Sequence, residues 1–215
     1  MTQQSSPIDI EATNRTRARY QRISSIYNRM EAFAERYYQP WRKSLWSMVS
    51  GNEVLKVGVG TGFNIPYYPP DAHMTGIDLT PGMLQQAQER AEELNHEVTL
   101  RLGDVQALDF PDHTFDMAVA TFVFCSVPDP VLGLRELGRV VKPTGKIFLL
   151  EHMRADNALL GWMMDAMNPF MVRLMGANIN RRTVANVEKG LHVQQVQPLA
   201  ANGIFKLIVA HPEPE

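Results

Sequence analysis

The sequence predicts an α/β fold: an open, mainly parallel sheet with helices on both faces, preceded by a helical arm and carrying a helical cap. Three observations predict it. The stretch VLKVGVGTG at 54–62 joins an apolar β run to a turn with Gly58, Gly60 and Gly62. From 53 to 151, short apolar runs alternate with longer segments of helical periodicity, the order that gives parallel strands and crossover helices. Two last β-type runs follow a methionine-rich stretch.

The 215 residues suit one domain with appendages and can bury a substantial core. With 45% hydrophobic and 20% charged residues, the composition is that of a globular protein. A net charge of −2 gives no general attraction to nucleic acid. Cys125 is the single cysteine, so an intramolecular disulfide and a cysteine-rich metal site are excluded. The six histidines form no H-x-x-x-H or similar pair, and no metal is expected. The start MTQQSSPIDI is polar, and no apolar run approaches the ~18–20 residues of a membrane span. The expected location is the cytoplasm.

Residues 1–10 read as a disordered tail. A helical arm follows over 11–50, where Tyr20, Ile23, Tyr27, Met30, Ala34, Tyr37, Trp41, Leu45 and Met48 recur at steps of three and four along one face. Arginines, Arg22, Arg29, Arg36 and Arg42 among them, dominate the other face. Pro40 is expected to start a second helix, since proline suits a first turn and not an interior. Strands are expected at 53–59, 73–78, 98–102, 115–121 and 146–151. Helices at 81–95 and 130–141 connect them, with Pro81 and Pro130 near their starts. Six of the twelve methionines lie from Met153 to Met175. They make the cap, about 153–190, which Pro169 bends or splits and a short helix at 181–189 completes. Strands at 191–197 and 204–210 read as a hairpin or adjacent edge pair.

The glycine turn lets backbone N–H groups approach a small-molecule cofactor, because a Cβ would hold the ligand away. A dinucleotide fingerprint wants a third glycine where this chain has Phe63, so G-x-G-x-G points away from NAD and FAD. Asp78 ends the second strand, where a doubly wound site sets a carboxylate on ribose hydroxyls; otherwise it is a turn or cap aspartate before Pro81. Asp104 could accept from an adenine amino group, with the Val105 N–H as donor, or serve as a plain turn residue.

Together with GIDLTPGML at 76–84, GDVQALDFPDHTFD at 103–116 and LRELGRVVKPTGKI at 134–147, the glycine turn resembles the S-adenosylmethionine-dependent class I methyltransferases. The likeness covers about 53–151 and is nearest to the branch with quinone-ring, bacterial phosphatidylethanolamine and thiol methyltransferases (methyltransferase type 11-like). It implies a Rossmann-like, seven-stranded sheet with strand seven antiparallel, in a domain spanning 51–215. It also implies cofactor roles: Gly58, Gly60, Thr61 and Gly62 around the methionine part, and Asp78 on the ribose. Leu79 and Met83 would flank the adenine, Asp104 and Val105 would bind it, and Thr121 and Phe122 would pass beside the cofactor. Lys56 stands where these families normally carry Glu or Asp. Its ammonium opposes the cofactor's ammonium and sulfonium, so it could swing away on its stem, pair with the cofactor carboxylate, or weaken binding.

The Tyr27-Asn28-x-Met30 segment resembles the YD-x-M segment of the quinone-methylating relatives, with Asn for Asp. Tyr20 and Tyr27 would then close over cofactor or acceptor, or else pack as core aromatics. Cys125, in FVFCSVPDP, matches a cysteine of the thiol-methylating relatives, or is a buried structural thiol. His152, at the carboxyl end of the fifth strand, could move or orient an acceptor proton, or be purely structural. Arg181 and Arg182 could meet a headgroup, or mark a solvated helix start.

The function expected is methyl transfer to a small-headed lipophilic acceptor: a phosphatidylethanolamine-type amine first, then a quinone-ring carbon or a small thiol. A second class is a cofactor-binding pseudoenzyme weakened by Lys56; a third is a lipid-surface protein with an incidental core. The methionines suit acyl or prenyl chains, and the basic-aromatic arm suits an anionic surface on the inner membrane face. Alternatively, arm and cap pack on each other over the sheet. No nucleic-acid partner is expected, because the basic residues are largely confined to the arm and no base-flipping motif is present.

Overall fold

The computed structural model describes residues 7–200 and 202–214. Most of the expected tail, 1–6, lies outside the described residues, but its end is ordered into a cap. The Asp9 carboxylate accepts from the Ala12 N–H at 2.9 Å, satisfying one of the free donors of a helix start. Helix α1 then runs unbroken over Ile10–Trp46. The expected break at Pro40 is absent: the proline lies inside the helix. A clamp spans it. Arg42 Nε and Nη2 donate to the Glu35 carboxylate at 2.9 and 3.1 Å, and Leu45 and Trp46 beyond the proline are buried. These contacts outweigh the missing helical hydrogen bond.

The sheet has seven strands in the order β3-β2-β1-β4-β5-β7-β6. They are β1 Glu53–Val57, β2 His73–Asp78, β3 Thr99–Leu102, β4 Phe115–Thr121, β5 Val141–His152, β6 His192–Pro198 and β7 Phe205–His211. The first five pair in parallel, and β7 is antiparallel to both β5 and β6. That is the sheet implied by the resemblance. Strand β1 stops at Val57, two residues earlier than expected, because Gly58 and Gly60 take φ of +59° and +60°, which no strand can hold.

Alternation along the strands divides the core. Leu55, Val57, Ile147 and Leu149 face helix α3, Pro130–Val140, while Val54, Val119, Phe148 and Leu150 pack with α2, Pro81–Glu93, and the end of α1. Helix α3 passes directly into β5, so that strand begins at Val141 rather than at 146. Close packing there needs Gly145, whose Cβ would lie 2.5 Å from the Asp116 carbonyl oxygen.

Helix α4, Ala158–Met175, also continues through its proline, Pro169. Met164 is buried on its inner side, and Arg154 pairs with its Asp165 at 2.9 Å. Much of its apolar surface nevertheless points outward: Trp162 is 65% exposed and Phe170 64%. Packing therefore accounts for only part of the methionine-rich segment: Met153 and Met164 are buried, while Met163 and Met167 are exposed. The short helix expected at 181–189 is α5, Thr183–Val187.

Candidate active site

Strand order reverses between β1 and β4, and in an open α/β sheet the crevice at that reversal, beyond the carboxyl ends of the strands, is where ligands bind. A cavity of about 270 Å³ occupies that position. Its floor is made by the ends of the strands and its roof by α1. Backbone chemistry dominates the β1 end. An added Cβ at Gly60 would meet no protein atom within 4 Å, whereas one at Gly58 would lie 2.5 Å from Val123. Space beside Gly60 is thus left for a ligand, and Gly58 admits the turn after β4. The buried Thr61 hydroxyl, also on the wall, has no hydrogen-bond partner among the described residues.

Asp78 ends β2 facing this turn. Its oxygens accept from the Gly60 N–H at 2.8 Å and the Thr80 N–H at 2.9 Å. Burial raises its carboxyl above the ordinary range and those two N–H groups hold it down. Asp104, past β3, accepts from the Gln106 N–H at 2.9 Å and from the Thr13 hydroxyl at 3.4 Å, which ties α1 to the floor. Leu79, Met83 and Val105 complete an apolar wall between these acids.

Thr121 and Phe122 close the β4 side. The Thr121 hydroxyl accepts from Asn64 at 2.9 Å and from Arg42 at 3.1 Å. Phe122 adopts φ of +58°, a strained value for a bulky residue, and its ring lies 4.6 Å from Tyr38 and 5.3 Å from the Arg42 guanidinium. The turn is braced from beneath by Glu151, whose Oε1 accepts from the Val123 and Phe124 N–H groups at 2.8 and 3.1 Å. Burial pushes Glu151 up to about 7.

Several sequence-predicted residues meet at this cavity. Tyr20, Tyr27, Cys125 and His152 all line it, and the Tyr20 hydroxyl donates to Ser126 at 3.0 Å. Burial pushes His152 down to about 4 and Cys125 up to about 12, so near neutral pH the imidazole is uncharged and the thiol protonated. Three others stand off the wall. Gly62 packs behind it, where a Cβ would lie 2.7 Å from Ile65 and 3.2 Å from Ala87. Arg181 donates to the Val127 carbonyl at 2.8 Å and so braces a loop.

Lys56 is the third, and it is fully buried. Its Nζ donates to the Val57 carbonyl at 2.6 Å and the Gly58 carbonyl at 2.8 Å. The stem has swung away from the ligand space, yet inward. Burial lowers its ammonium to about 7, with Arg42 acting the same way.

The sequence reading missed Glu31, Tyr38 and Arg42, which all face the cavity from α1. Arg42 was placed on the basic face opposite the apolar stripe but is only 5% exposed. Among the described residues no cluster of metal-binding side chains occurs.

A family model described as a methyltransferase domain matches residues 55–149. The chain is 34% identical to a phosphatidylethanolamine N-methyltransferase of Cereibacter sphaeroides over 160 residues, 74% of this chain and 79% of that protein. The chain belongs to the S-adenosylmethionine-dependent methyltransferase family. It is also 31% identical to a demethylmenaquinone methyltransferase of Listeria welshimeri, over 66% of this chain and 64% of that longer relative. A solved S-adenosylmethionine-dependent methyltransferase from Thermotoga maritima shares the fold with a TM-score of 0.71 at 18% identity, covering 92% of this chain and all of that one. The protein is therefore an enzyme of methyl transfer with S-adenosylmethionine as its cofactor. The open space at Gly60, the unpartnered Thr61 hydroxyl and the acids at the ends of β2 and β3 fit that molecule. No helix among the described residues is long and apolar enough to cross a membrane.

Proposed function

We propose that the enzyme methylates the amine headgroup of a phosphatidylethanolamine-type lipid, working at an anionic membrane surface. The observation that carries the lipid assignment is a shared residue. Met30 belongs both to the cavity wall and to an outward apolar strip of α1 that includes Ile26, Phe33 and Tyr37. Arg22, Arg29 and Arg36 lie exposed along the same helix. An apolar strip edged by arginines suits the boundary between acyl chains and phosphates, and the outward face of α4 suits the same boundary. The identity to a phosphatidylethanolamine N-methyltransferase supports an amine before a quinone carbon.

Residue roles follow from the floor. Asp78 would hold the ribose hydroxyls, Asp104 and the Val105 N–H the adenine edge, and Leu79 and Met83 the ring faces. The backbone at Gly58, Gly60 and Thr61 would cradle the methionine part, with Thr121 and Phe122 beside it. The cofactor, when bound, supplies an already activated methyl on sulfur. The protein's task is then to align the acceptor and exclude water. α1 does this as the roof, held in place by Tyr20–Ser126 and by Asn28, which donates to Gln86 of α2 at 3.0 Å.

The test is methyl transfer from labelled cofactor to vesicles containing phosphatidylethanolamine, to a demethylated quinone and to small thiols. Label in the lipid amine is expected. Transfer to the quinone or the thiols without the amine would overturn the acceptor assignment.

A further inference from the structure

On α1, Tyr20, Tyr27, Glu31 and Tyr38 fall at intervals of seven, four and seven residues, which places their side chains on one face of the helix. All four line the cavity. Glu31 differs from the other acids nearby. Asp78 is engaged by backbone N–H groups, Asp104 by Gln106, and Glu35 by Arg42. Glu31 has no hydrogen bond or ion pair among the described residues, because Arg42, the cation whose field it feels, is already held by Glu35. Burial raises its carboxyl, Arg42 lowers it and Glu35 raises it further. Tyr27 lies one turn before Glu31 and Tyr38 two turns after it on that face, so phenols flank the carboxylate along the helix.

A half-buried carboxylate without a cation, facing phenol rings, is a receptor for an organic cation: the charge attracts it and the ring faces add cation–π attraction. We infer that Glu31 receives the ammonium headgroup of the methyl acceptor and takes the proton that leaves its nitrogen. This rests on the amine assignment above. The ammonium N–H bond breaks, an O–H bond forms on Glu31, and the electron pair stays on nitrogen as the nucleophile. Glu31 then releases the proton to water.

The other titratable groups facing this space are unsuited to that step. His152, from β5, is held near 4 and is a weak base. Cys125, after β4, is held protonated near 12, and the phenols of Tyr20, Tyr27 and Tyr38 are all raised. Asp78 is committed to the glycine turn, and the Lys56 amine to carbonyls behind it.

The test compares the whole protein with its E31Q and E31D variants. Binding of choline and of its neutral isostere 3,3-dimethylbutan-1-ol is measured by calorimetry with S-adenosylhomocysteine present. Wild type should prefer choline by about tenfold or more, E31D should retain part of that preference, and E31Q should lose it. With the lipid amine as acceptor, E31Q should also lower kcat and remove the acid limb of its pH profile. Glu31 makes no internal bond, so an unchanged unfolding midpoint in E31Q confirms that the fold is intact. Equal binding of the two probes by wild type would refute the cation site, and an unchanged acid limb in E31Q would refute the proton transfer. Transfer to a quinone and to no amine would remove the amine assignment and the proton role with it. A choline preference lost only in E31Q would still establish the cation site.

Discussion

Replacing Gly60 by alanine separates ligand binding from folding, because its added methyl meets no protein atom within 4 Å. Steric cost inside the protein is therefore absent. What remains is the backbone, since Gly60 has φ of +60°. A left-handed conformation costs a residue with a Cβ ~1–2 kcal/mol, offset by ~0.4–1 kcal/mol from the less flexible unfolded chain. The net loss is then about 1 kcal/mol, or roughly 2–4 °C of Tm in a chain of this size. The methyl stands, however, in the space that the cofactor's methionine part would fill. Losing one hydrogen bond to a charged group there, worth about 1.5–3 kcal/mol, weakens binding about 10- to 150-fold.

Gly62→Ala is the control with the opposite profile. Gly62 has φ of +84°, and its Cβ would press on Ile65 and on the α2 backbone at Ala87, away from the cavity wall. It should cost more stability and less affinity. Calorimetric titration with S-adenosylhomocysteine and denaturant unfolding, run on both variants, give the two numbers. Wild-type affinity in Gly60→Ala, or lost affinity in a stably folded Gly62→Ala, would refute this account of the cradle.

Two further outcomes are expected. Asp78→Ala leaves the Gly60 and Thr80 N–H groups without their shared acceptor and should abolish measurable cofactor binding by calorimetry; retained affinity would place the ribose elsewhere. Lys56→Met tests the buried amine through pH. With its folded value near 7 against an ordinary 10.5, the unfolded chain binds more protons between those limits, so the Lys56 contribution to stability rises with pH across that window. Denaturant unfolding at about pH 7 and about pH 9 should show wild type gaining on the variant; a difference that does not change with pH refutes the lowered amine.

The sheet was legible because parallel strands covered on both faces are written as apolar runs. β2 and β4 fall at the expected residues, and the glycine turn and Asp78 converge as their spacing suggested. The roof was less legible. Tyr37 was counted in the single apolar stripe, yet it is 63% exposed, while Tyr38, outside that stripe, packs on Phe122 and Phe205. A long helix with apolar residues on two faces has no single periodicity, and neither a buried arginine nor a cavity-facing glutamate adds to an apolar stripe. Arg42 is buried because Glu35, Asn64 and Thr121 together satisfy it, and Asn64 and Thr121 come from distant parts of the chain. Pro40 misled for a related reason: local propensity argues against proline inside a helix, and contacts on either side of it override that; at Pro169 only the split is absent, since α4 runs through it.

Lys56 shows how the site accommodates a residue that looks wrong for it. As a fixed cation at the wall it would repel the ammonium and sulfonium of the cofactor. The structure instead turns the amine behind the wall, onto the Val57 and Gly58 carbonyls, and burial weakens its hold on a proton. Glu151 does the complementary work on the other side of the switch point, accepting from the Val123 and Phe124 N–H groups. One buried donor fixes the turn after β1 and one buried acceptor fixes the turn after β4. These two turns meet where Val123 lies against Gly58, so each supports the position of the other. In this chain the position that resembling families give to an acid supports the cradle from behind, and the open space at Gly60 remains clear.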